Sequence, residues 1–522
     1  MVTNNPSKQV SSQTAGSQLP KEKWLYQWLP LLSIVILATL LRFYQLGEES
    51  LWVDEFHSLR AAEELKLHFR VLYFAFLRVW MLFGTSDAWL RSLSVLFGIA
   101  CIFVTYQLGY RLVGRSTGLL SAFVIAVSPL FIRHSQEVRF YMLSTFLTMV
   151  GTLALVYALE KLTIASVGGW IIARLLAIYA TPINILLLLP DVILALFRFR
   201  HQRRVMIGVI ASISALFLLF IPVFLNPEFL NAILQFMSKA DVGGRRLGIP
   251  ELIGQLPAAT VFWPMQQLPK QQFWLYGFHG LTMLGLLGFL VFNKRRSSRL
   301  NWLAAWAFLP LVVLLFVSTT YGYLWSPRYI LLATPYVIIL LSAAFIQVWA
   351  WNRFVASAIA LIYAVSLGGG LLHYYGEKNI TDWRGAVQII NANEQTGDVI
   401  TVPTGFINTY VLGRYYSGSN SIYVAEALSP YRRVEPETIQ QGLAQLPIES
   451  RLWLLYVQPK GKNARDSEQA FQSVIDEQFT VQTHEVFSGY LDTIDLFLLI
   501  PNSVSKETAV DKLAFDPKLI KN

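Results

Sequence analysis

Residues 205–225 read VMIGVIASISALFLLFIPVFL, an apolar run without a charge, directly after the basic run Arg198-Phe199-Arg200-His201-Gln202-Arg203-Arg204. An uncharged apolar stretch of about 20 residues is long enough to cross a lipid bilayer as a helix. Basic residues at one end of such a helix mark the cytoplasmic side. This stretch therefore predicts a membrane span together with its orientation.

Similar apolar runs follow one another along the chain and predict about 11 spans. Their approximate positions are 28–46, 90–110, 117–133, 140–160, 165–181, 183–198, 205–225, 272–292, 300–320, 328–347 and 354–373. The connecting segments alternate between basic and non-basic. Lys21, Arg111, Lys161, Lys294 and Arg353 fall on the basic side, which predicts a cytoplasmic N-terminus and places everything after residue 373 outside.

The composition agrees with a polytopic membrane protein. Of 522 residues, 54% are hydrophobic and only 14% are charged, against about 25% charged in soluble domains. These values exclude a water-soluble globule, a disordered protein and a nucleic-acid binder. We attribute the net charge of +10 to the basic cytoplasmic loops. With one cysteine, Cys101, no intramolecular disulfide can form.

The sequence divides into three parts. Residues 1–23 are polar and of low complexity, which predicts a disordered cytoplasmic tail. Residues 24–373 form the predicted all-α transmembrane domain, with outer loops at 47–88 and 226–271. Residues 374–522 have an ordinary soluble composition and predict a small extracytoplasmic α/β domain.

Within this last part, helical and strand-like patterns alternate. Residues 383, 386, 387 and 390 are apolar at helical spacing, which predicts a helix. Strand-like runs cover 398–402, 451–457 and 494–500.

Asp54 and Glu55 are adjacent acidic residues about two helical turns beyond the outer end of the predicted first span. Adjacent residues cannot share one helix face, so the two carboxylates have different roles, or one is merely solvated. Their neighbours Leu51, Trp52 and Phe56 form an apolar setting. Such a setting raises a carboxyl pKa and favours a general base.

A second polar cluster, 133–141, lies in the predicted outer turn between spans three and four. It offers the candidate binding residues His134, Glu137, Arg139 and Tyr141. An arginine here could bind a phosphate through both of its terminal nitrogens or extend toward lipid headgroups.

Further candidates are scattered along the chain. Arg328 and Tyr329 begin span ten, where an arginine is either a ligand or an interface anchor. Arg91 and His68 face the same predicted side. Asp191 lies inside span six, where an acid is either functional or joins two helices. The sequence shows no metal-ligand spacing, so no cofactor is predicted.

Several of these residues lie in stretches that resemble a known protein family. The chain resembles the membrane glycosyltransferases with the GT-C fold, specifically glycosyltransferase family 39, which includes dolichyl-phosphate-mannose protein mannosyltransferases and bacterial lipid A aminoarabinose transferases. The matching stretches are Leu41-Arg42-Phe43-Tyr44-Gln45-Leu46, Leu51-Trp52-Val53-Asp54-Glu55-Phe56, Phe83-Gly84-Thr85-Ser86-Asp87-Ala88-Trp89-Leu90-Arg91, Ser135-Gln136-Glu137-Val138-Arg139-Phe140-Tyr141 and Ser326-Pro327-Arg328-Tyr329.

The resemblance implies transfer of a sugar from a polyprenyl phosphate to a protein, lipid or glycan acceptor on the outer face of the cell membrane. Asp54 is then the expected general base and Glu55 the residue that positions it. Arg139 and Arg328 are expected to hold the departing phosphate. The chain departs from the family at Leu67-His68-Phe69-Arg70, which lacks the usual prolines, and at Tyr179-Ala180-Thr181-Pro182, which lacks the usual histidine.

Three alternatives stay open from the sequence. A transferase of lipid-diphosphate oligosaccharides would use a divalent cation and more carboxylates. A transporter of lipid-linked sugars would depend on Asp191. A non-catalytic scaffold would bind glycans through the C-terminal domain.

Overall fold

The computed structural model describes residues 21–65, 70–225, 227, 273–293, 299–321, 327–376, 380–429, 435–448, 451–459, 464–489 and 493–502. Most of the predicted N-terminal tail, His68 and nearly all of the predicted outer loop 226–271 lie outside these residues. The described residues up to 376 are mainly helical, and a unit containing a five-stranded sheet follows.

The helices of the first part are α1 (Lys21–Phe43), α2 (Val53–Glu64), α3 (Val71–Met81), α4 (Asp87–Leu112), α5 (Arg115–Val127), α6 (Pro129–Ser135), α7 (Tyr141–Glu160), α8 (Ile164–Ala180), α9 (Leu188–Phe199), α10 (Arg203–Phe224), α11 (Phe273–Phe292), α12 (Arg299–Tyr321), α13 (Thr334–Trp351) and α14 (Arg353–Gly376). A 3₁₀ segment, Pro182–Leu187, leads into α9, and a single turn, Pro327–Ile330, precedes α13.

Six of the described helical segments are long and apolar enough to cross a membrane, or seven if the bent pair α5 and α6 forms one span. Four others are apolar but shorter, namely Trp28–Phe43, Val71–Met81, Ile164–Ala180 and Gly277–Phe292. A helix of 17 residues such as α8 is about 26 Å long, less than the ~30 Å of a bilayer core. The first part is thus a multi-pass helical membrane domain, but the predicted count of about 11 spans is not confirmed.

A bend of 60° divides the predicted span 117–133 into α5 and α6. Pro129 has no backbone N–H, so the carbonyl of Ile125, four residues earlier, has no helical partner. The buried Arg42 guanidinium replaces that partner, since its NH2 donates to the Ile125 oxygen at 3.0 Å and its NH1 to the Ala126 oxygen at 2.8 Å. Arg42 therefore stabilises the bend.

Asp191 joins three helices. Its carboxylate accepts bonds from Arg174 Nε at 2.6 Å and NH2 at 3.0 Å, from Trp170 Nε1 at 2.7 Å and from Trp306 Nε1 at 2.8 Å. Asp191 and Arg174 are both fully buried. Of the two roles left open by the sequence, this geometry supports a link between helices.

The second part holds α15 (Trp383–Asn393), α16 (Pro436–Ala444) and α17 (Ala464–Gln478), with strands β1 (Val399–Val402), β2 (Ser421–Val424), β3 (Leu452–Val457), β4 (Phe479–Ser488) and β5 (Thr493–Pro501). The sheet order is β2-β1-β3-β5-β4. β1 is parallel to β2 and to β3, whereas β5 is antiparallel to β3 and to β4. The helix and the three strands predicted from the sequence are confirmed.

Both faces of this sheet are covered, because side chains alternate along a strand. Leu452, Leu454 and Tyr456 pack with α16 and α17 on one face, where the Tyr456 and Phe471 rings stack at 3.8 Å. The intervening residues of β3 pack with α15 on the other face. This explains why β3 is apolar throughout.

The sheet unit contacts the segment around α2. Tyr415 joins the two parts, because its hydroxyl accepts from the Leu51 N–H at 3.0 Å and donates to Asp87 Oδ2 at 2.9 Å. Arg414 adds a bond from Nε to Asp87 Oδ1 at 2.9 Å. The Phe56 ring on α2 lies 6.2 Å from the rings of both Phe406 and Tyr415. These contacts with the sheet unit therefore fix the position of α2.

Candidate active site

Asp54 and Glu55 lie in the first turn of α2, where the positive end of the helix dipole stabilises carboxylates. They point in different directions, as adjacent residues on a helix must. Glu55 is fully buried, whereas 29% of the Asp54 side chain is exposed. Of this predicted pair, only Asp54 can meet a substrate.

Glu55 is held by Arg91 of α4. Arg91 Nε donates to Glu55 Oε1 at 3.0 Å and NH2 to Oε2 at 2.8 Å, so the pair is bidentate. Glu55 also accepts from the Val138 N–H at 2.8 Å and from the Trp52 N–H at 3.2 Å. It therefore ties the start of α2 to the loop before α7.

The structure corrects the prediction that Arg91 binds substrate. Besides Glu55, its guanidinium donates to the carbonyls of Leu46, Glu49 and Ser50 at 3.1, 2.8 and 2.9 Å. Only 3% of its side chain is exposed. Arg91 is thus a structural partner of Glu55, with no donor left for a ligand.

Two predicted arginines meet at Asp54. Arg139 NH2 lies 3.4 Å and Arg328 NH1 3.7 Å from Asp54 Oδ2. Arg139 NH1 also donates to the Asp54 carbonyl at 2.7 Å and to Ser58 Oγ at 3.0 Å, so α2 fixes its position. Arg139 is buried, whereas 40% of the Arg328 side chain is exposed.

Tyr141, the first residue of α7, interacts with both of these guanidinium groups. Burial alone would lower the pKa of Arg139, but Tyr141 and Asp54 outweigh it and raise that pKa. The pKa of Arg328 is raised against burial by Tyr141, Tyr329 and Asp54. Both arginines therefore stay positively charged, and the structure brings the predicted residues Tyr141 and Tyr329 together with them.

Arg70 joins this cluster and was not among the predicted site residues. It precedes α3 with a left-handed backbone (φ 83°), and its guanidinium carbon lies 4.3 Å from the centre of the Phe140 ring. Burial lowers its pKa first, and the positive charges of Arg139 and Arg328 lower it further. A basic residue at the start of an apolar helix was the available sequence signal. We call Asp54, Arg70, Arg139 and Arg328 the cationic cluster; three guanidinium groups and one carboxylate give it a formal charge of +2.

His134 and Glu137 lie behind the cationic cluster. Glu137 pairs with Arg133 Nε at 2.8 Å and with His134 Nδ1 at 3.2 Å. Burial would raise the pKa of Glu137, but Arg133 and His134 lower it to about 2. The His134 ring centre lies 4.9 Å from that of Tyr141. The structure thus places His134 and Glu137, both predicted substrate-binding residues, in buried positions behind Tyr141.

A narrow crevice runs from Arg328 and Tyr329 toward the segment after α8. Thr181 and Asn184 line it. Asn184 donates to Ser144 Oγ at 2.8 Å and to the Ala177 carbonyl at 2.7 Å. Its buried Oδ1 accepts no hydrogen bond from the described residues. The crevice therefore holds an acceptor oxygen near the cationic cluster. Across the described residues, the structure shows no group of three metal-ligating side chains.

No protein-family model and no curated protein sequence matches this chain. Solved structures do. ArnT from Cupriavidus metallidurans bound to undecaprenyl phosphate superposes with a TM-score of 0.54 at 13% identity, over 89% of this chain and 97% of that chain. Its apo form gives 0.53 at 14% identity, over 91% and 98%.

A second similar protein is the Archaeoglobus fulgidus oligosaccharyltransferase tethered to an acceptor peptide. It superposes with a TM-score of 0.52 at 11% identity, over 89% of this chain and 74% of that chain. At such identities the similarity concerns the fold. The resemblance to GT-C membrane glycosyltransferases is confirmed at that level.

Proposed function

We propose that this protein is a membrane glycosyltransferase that moves a sugar from a polyprenyl-phosphate donor to an acceptor hydroxyl. The observation that carries the proposal is the cationic cluster, in which the partly exposed Asp54 carboxylate lies beside the Arg139 and Arg328 guanidinium groups and Arg70 adds a third positive charge near them. The surplus positive charge suits a phosphate. The shared fold with ArnT, bound to undecaprenyl phosphate, supports this class of donor.

In the proposed reaction, Asp54 accepts the proton of the acceptor hydroxyl. The freed oxygen attacks the anomeric carbon, and the bond from that carbon to the phosphate oxygen breaks. The leaving group is the polyprenyl phosphate, which takes the bonding electrons and is already anionic, so it needs no general acid. A single displacement of this kind inverts the anomeric centre.

The arginines would stabilise the charge that develops on the leaving phosphate. Their contacts with the Asp54 carboxylate are loose, at 3.4 and 3.7 Å. Arg328 can therefore turn toward a phosphate without breaking a short bond, whereas Arg139 is held in place by its NH1 bonds to α2. Arg70 supplies the third charge from beside Phe140. Glu55, held by Arg91, is a positioning residue for both Asp54 and Arg139.

The acceptor would reach Asp54 over the exposed side of α2. There His57 lies between the site and the sheet unit, with its ring centre 4.9 Å from that of Phe406. Burial lowers the pKa of His57. We propose that this side faces the outside of the cell membrane and admits a protein, lipid or glycan acceptor.

The described contacts argue against two of the alternatives. A metal-dependent lipid-diphosphate transferase needs several free carboxylates, but Glu55 and Glu137 are each paired with a buried arginine. A transporter built around Asp191 needs an acid that changes partners, but Asp191 is bonded to Arg174, Trp170 and Trp306.

The test is transfer of radiolabelled sugar from a panel of polyprenyl-phosphate sugars by the purified protein, with and without chelator. Asp54→Asn should lower the single-turnover rate about 10²–10⁴-fold, the usual contribution of a general base, while donor binding persists. Glu63→Gln is the matched control, since it removes an exposed carboxylate from the same helix. Transfer within a few-fold of wild type in Asp54→Asn would refute the role of Asp54. Loss of transfer with chelator would favour the lipid-diphosphate alternative.

A further inference from the structure

A second charged cavity lies at the other end of the helical domain. It has a volume of about 730 Å³ and is open to the surroundings. Its charged lining residues come from the ends of four helices: Arg111 of α4, Glu160 of α7, Arg198 of α9 and Arg299 of α12. The proposed reaction uses none of them.

The cavity carries surplus positive charge. Its only carboxylate among the described lining residues is Glu160, which pairs with Arg111 and, at 3.1 Å, with Arg299 NH1. Arg299 NH1 also donates to the Arg111 carbonyl at 2.8 Å. Three guanidinium groups against one carboxylate leave a formal charge of +2, so the cavity attracts anions.

Arg198 is the lining residue with hydrogen-bond donors available for a ligand. Its Nε donates to the Leu159 carbonyl at 3.3 Å, which fixes the direction of the side chain. Its two terminal nitrogens have no hydrogen-bond partner among the described residues. Arg111 is fixed by the Tyr157 ring, whose centre lies 3.8 Å from the guanidinium carbon. Fixed arginines with spare donors can bind a phosphate through paired hydrogen bonds.

The position of the cavity indicates which phosphate it meets. α7 runs from Tyr141 at the cationic cluster to Glu160 at the cavity, and its 20 residues span about 30 Å. That is the thickness of a bilayer core, so the cavity lies at the opposite membrane surface. Tyr110 and Trp302 in its lining are aromatic residues of the kind enriched at headgroup level.

We propose that this cavity binds the phosphodiester headgroup of an anionic phospholipid. Basic pockets between transmembrane helices bind such headgroups. The terminal nitrogens of Arg198, which lines the cavity, can donate hydrogen bonds to the phosphodiester. The proposal does not depend on the sugar-transfer reaction.

The experiment uses the purified full-length protein in a neutral detergent, with phosphatidylglycerol, phosphatidylcholine or inorganic phosphate added. Native mass spectrometry measures the bound lipid, and thermal unfolding measures stabilisation. We expect phosphatidylglycerol to bind and to raise the unfolding midpoint. Arg198→Gln should weaken this binding about tenfold or more, since a hydrogen bond to a charged group contributes about 1.5–3 kcal/mol.

Arg353→Gln is the matched control, because Arg353 begins α14 and does not line the cavity. Arg198→Gln removes only the one bond to Leu159, so the variant should fold. Equal phosphatidylglycerol binding by the two variants would overturn the proposal. Binding of phosphatidylcholine as strong as that of phosphatidylglycerol would also overturn it. Full displacement of the lipid by millimolar inorganic phosphate would overturn it in favour of a free phosphate as the ligand.

Discussion

Replacing Glu55 with glutamine should destabilise the protein as well as slow it. The substitution leaves the Arg91 guanidinium buried without its countercharge, since the exposed fractions of the two side chains are 3% and 0%. Breaking a buried ion pair by removing one partner costs about 3–5 kcal/mol. Arg91 keeps its bonds to three backbone carbonyls, so we expect the lower end, about 3 kcal/mol.

Unfolding of the purified variants in mixed micelles with increasing denaturing detergent measures this free energy. Glu63→Gln provides the baseline, and Asp54→Asn should stay close to it, because Asp54 makes only loose ion pairs. The double variant Glu55→Gln/Arg91→Met should be less destabilised than the sum of its two single variants, since both break the same ion pair. If Glu55→Gln unfolds within about 0.5 kcal/mol of the baseline, a surface-like effect, the reasoning about the Glu55–Arg91 pair is wrong.

Three further predictions concern the cluster, its support and the orientation of the chain. Arg139→Lys should lose most sugar transfer and donor affinity despite the retained charge, because an ammonium lacks the planar fork; wild-type kinetics would make Arg139 an interface anchor. The folded-state pKa of Glu137 is lowered from 4.5 to about 2, so its stabilisation is complete above pH 4.5 and is lost as the pH falls toward 2. Thermal unfolding over that range should show this loss, and Glu137→Gln should abolish it. In intact cells, an impermeant thiol reagent should label a cysteine introduced at Ser488 and not one at Arg200; the reverse pattern would invert the topology.

The predicted strands were those buried on both faces. β1 and β3 are buried throughout because helices cover both sides of the sheet. β2 and β4 lie at the two edges of the sheet and are largely exposed. An edge strand is defined by its hydrogen bonds to its neighbour in the sheet, and composition does not encode that pairing.

The spans were harder to count, because hydropathy measures apolar length and not the path of the helix. The run 117–133 looks continuous, but Pro129 bends it by 60°. The carbonyl freed by that bend accepts a hydrogen bond from Arg42, which lies near the end of the predicted first span, 28–46. An arginine at the end of one apolar run thus donates hydrogen bonds to unpaired backbone carbonyls of another helix, and hydropathy does not reveal this.

The arginines of the site also could not be distinguished from one another by sequence. Arg91, Arg133, Arg139 and Arg328 are equally basic and lie at the same end of the helices, so the sequence alone makes each a candidate phosphate ligand. What separates them is their partners. Arg91 and Arg133 each have a buried carboxylate of their own, whereas Arg139 and Arg328 share Asp54, and Arg70 adds a third positive charge near these two arginines. A guanidinium with its own countercharge serves the fold, and guanidinium groups that share one carboxylate are available to an anionic ligand. Arg198, at the opposite surface, likewise has no carboxylate of its own among the described residues, so it too is available to an anionic ligand.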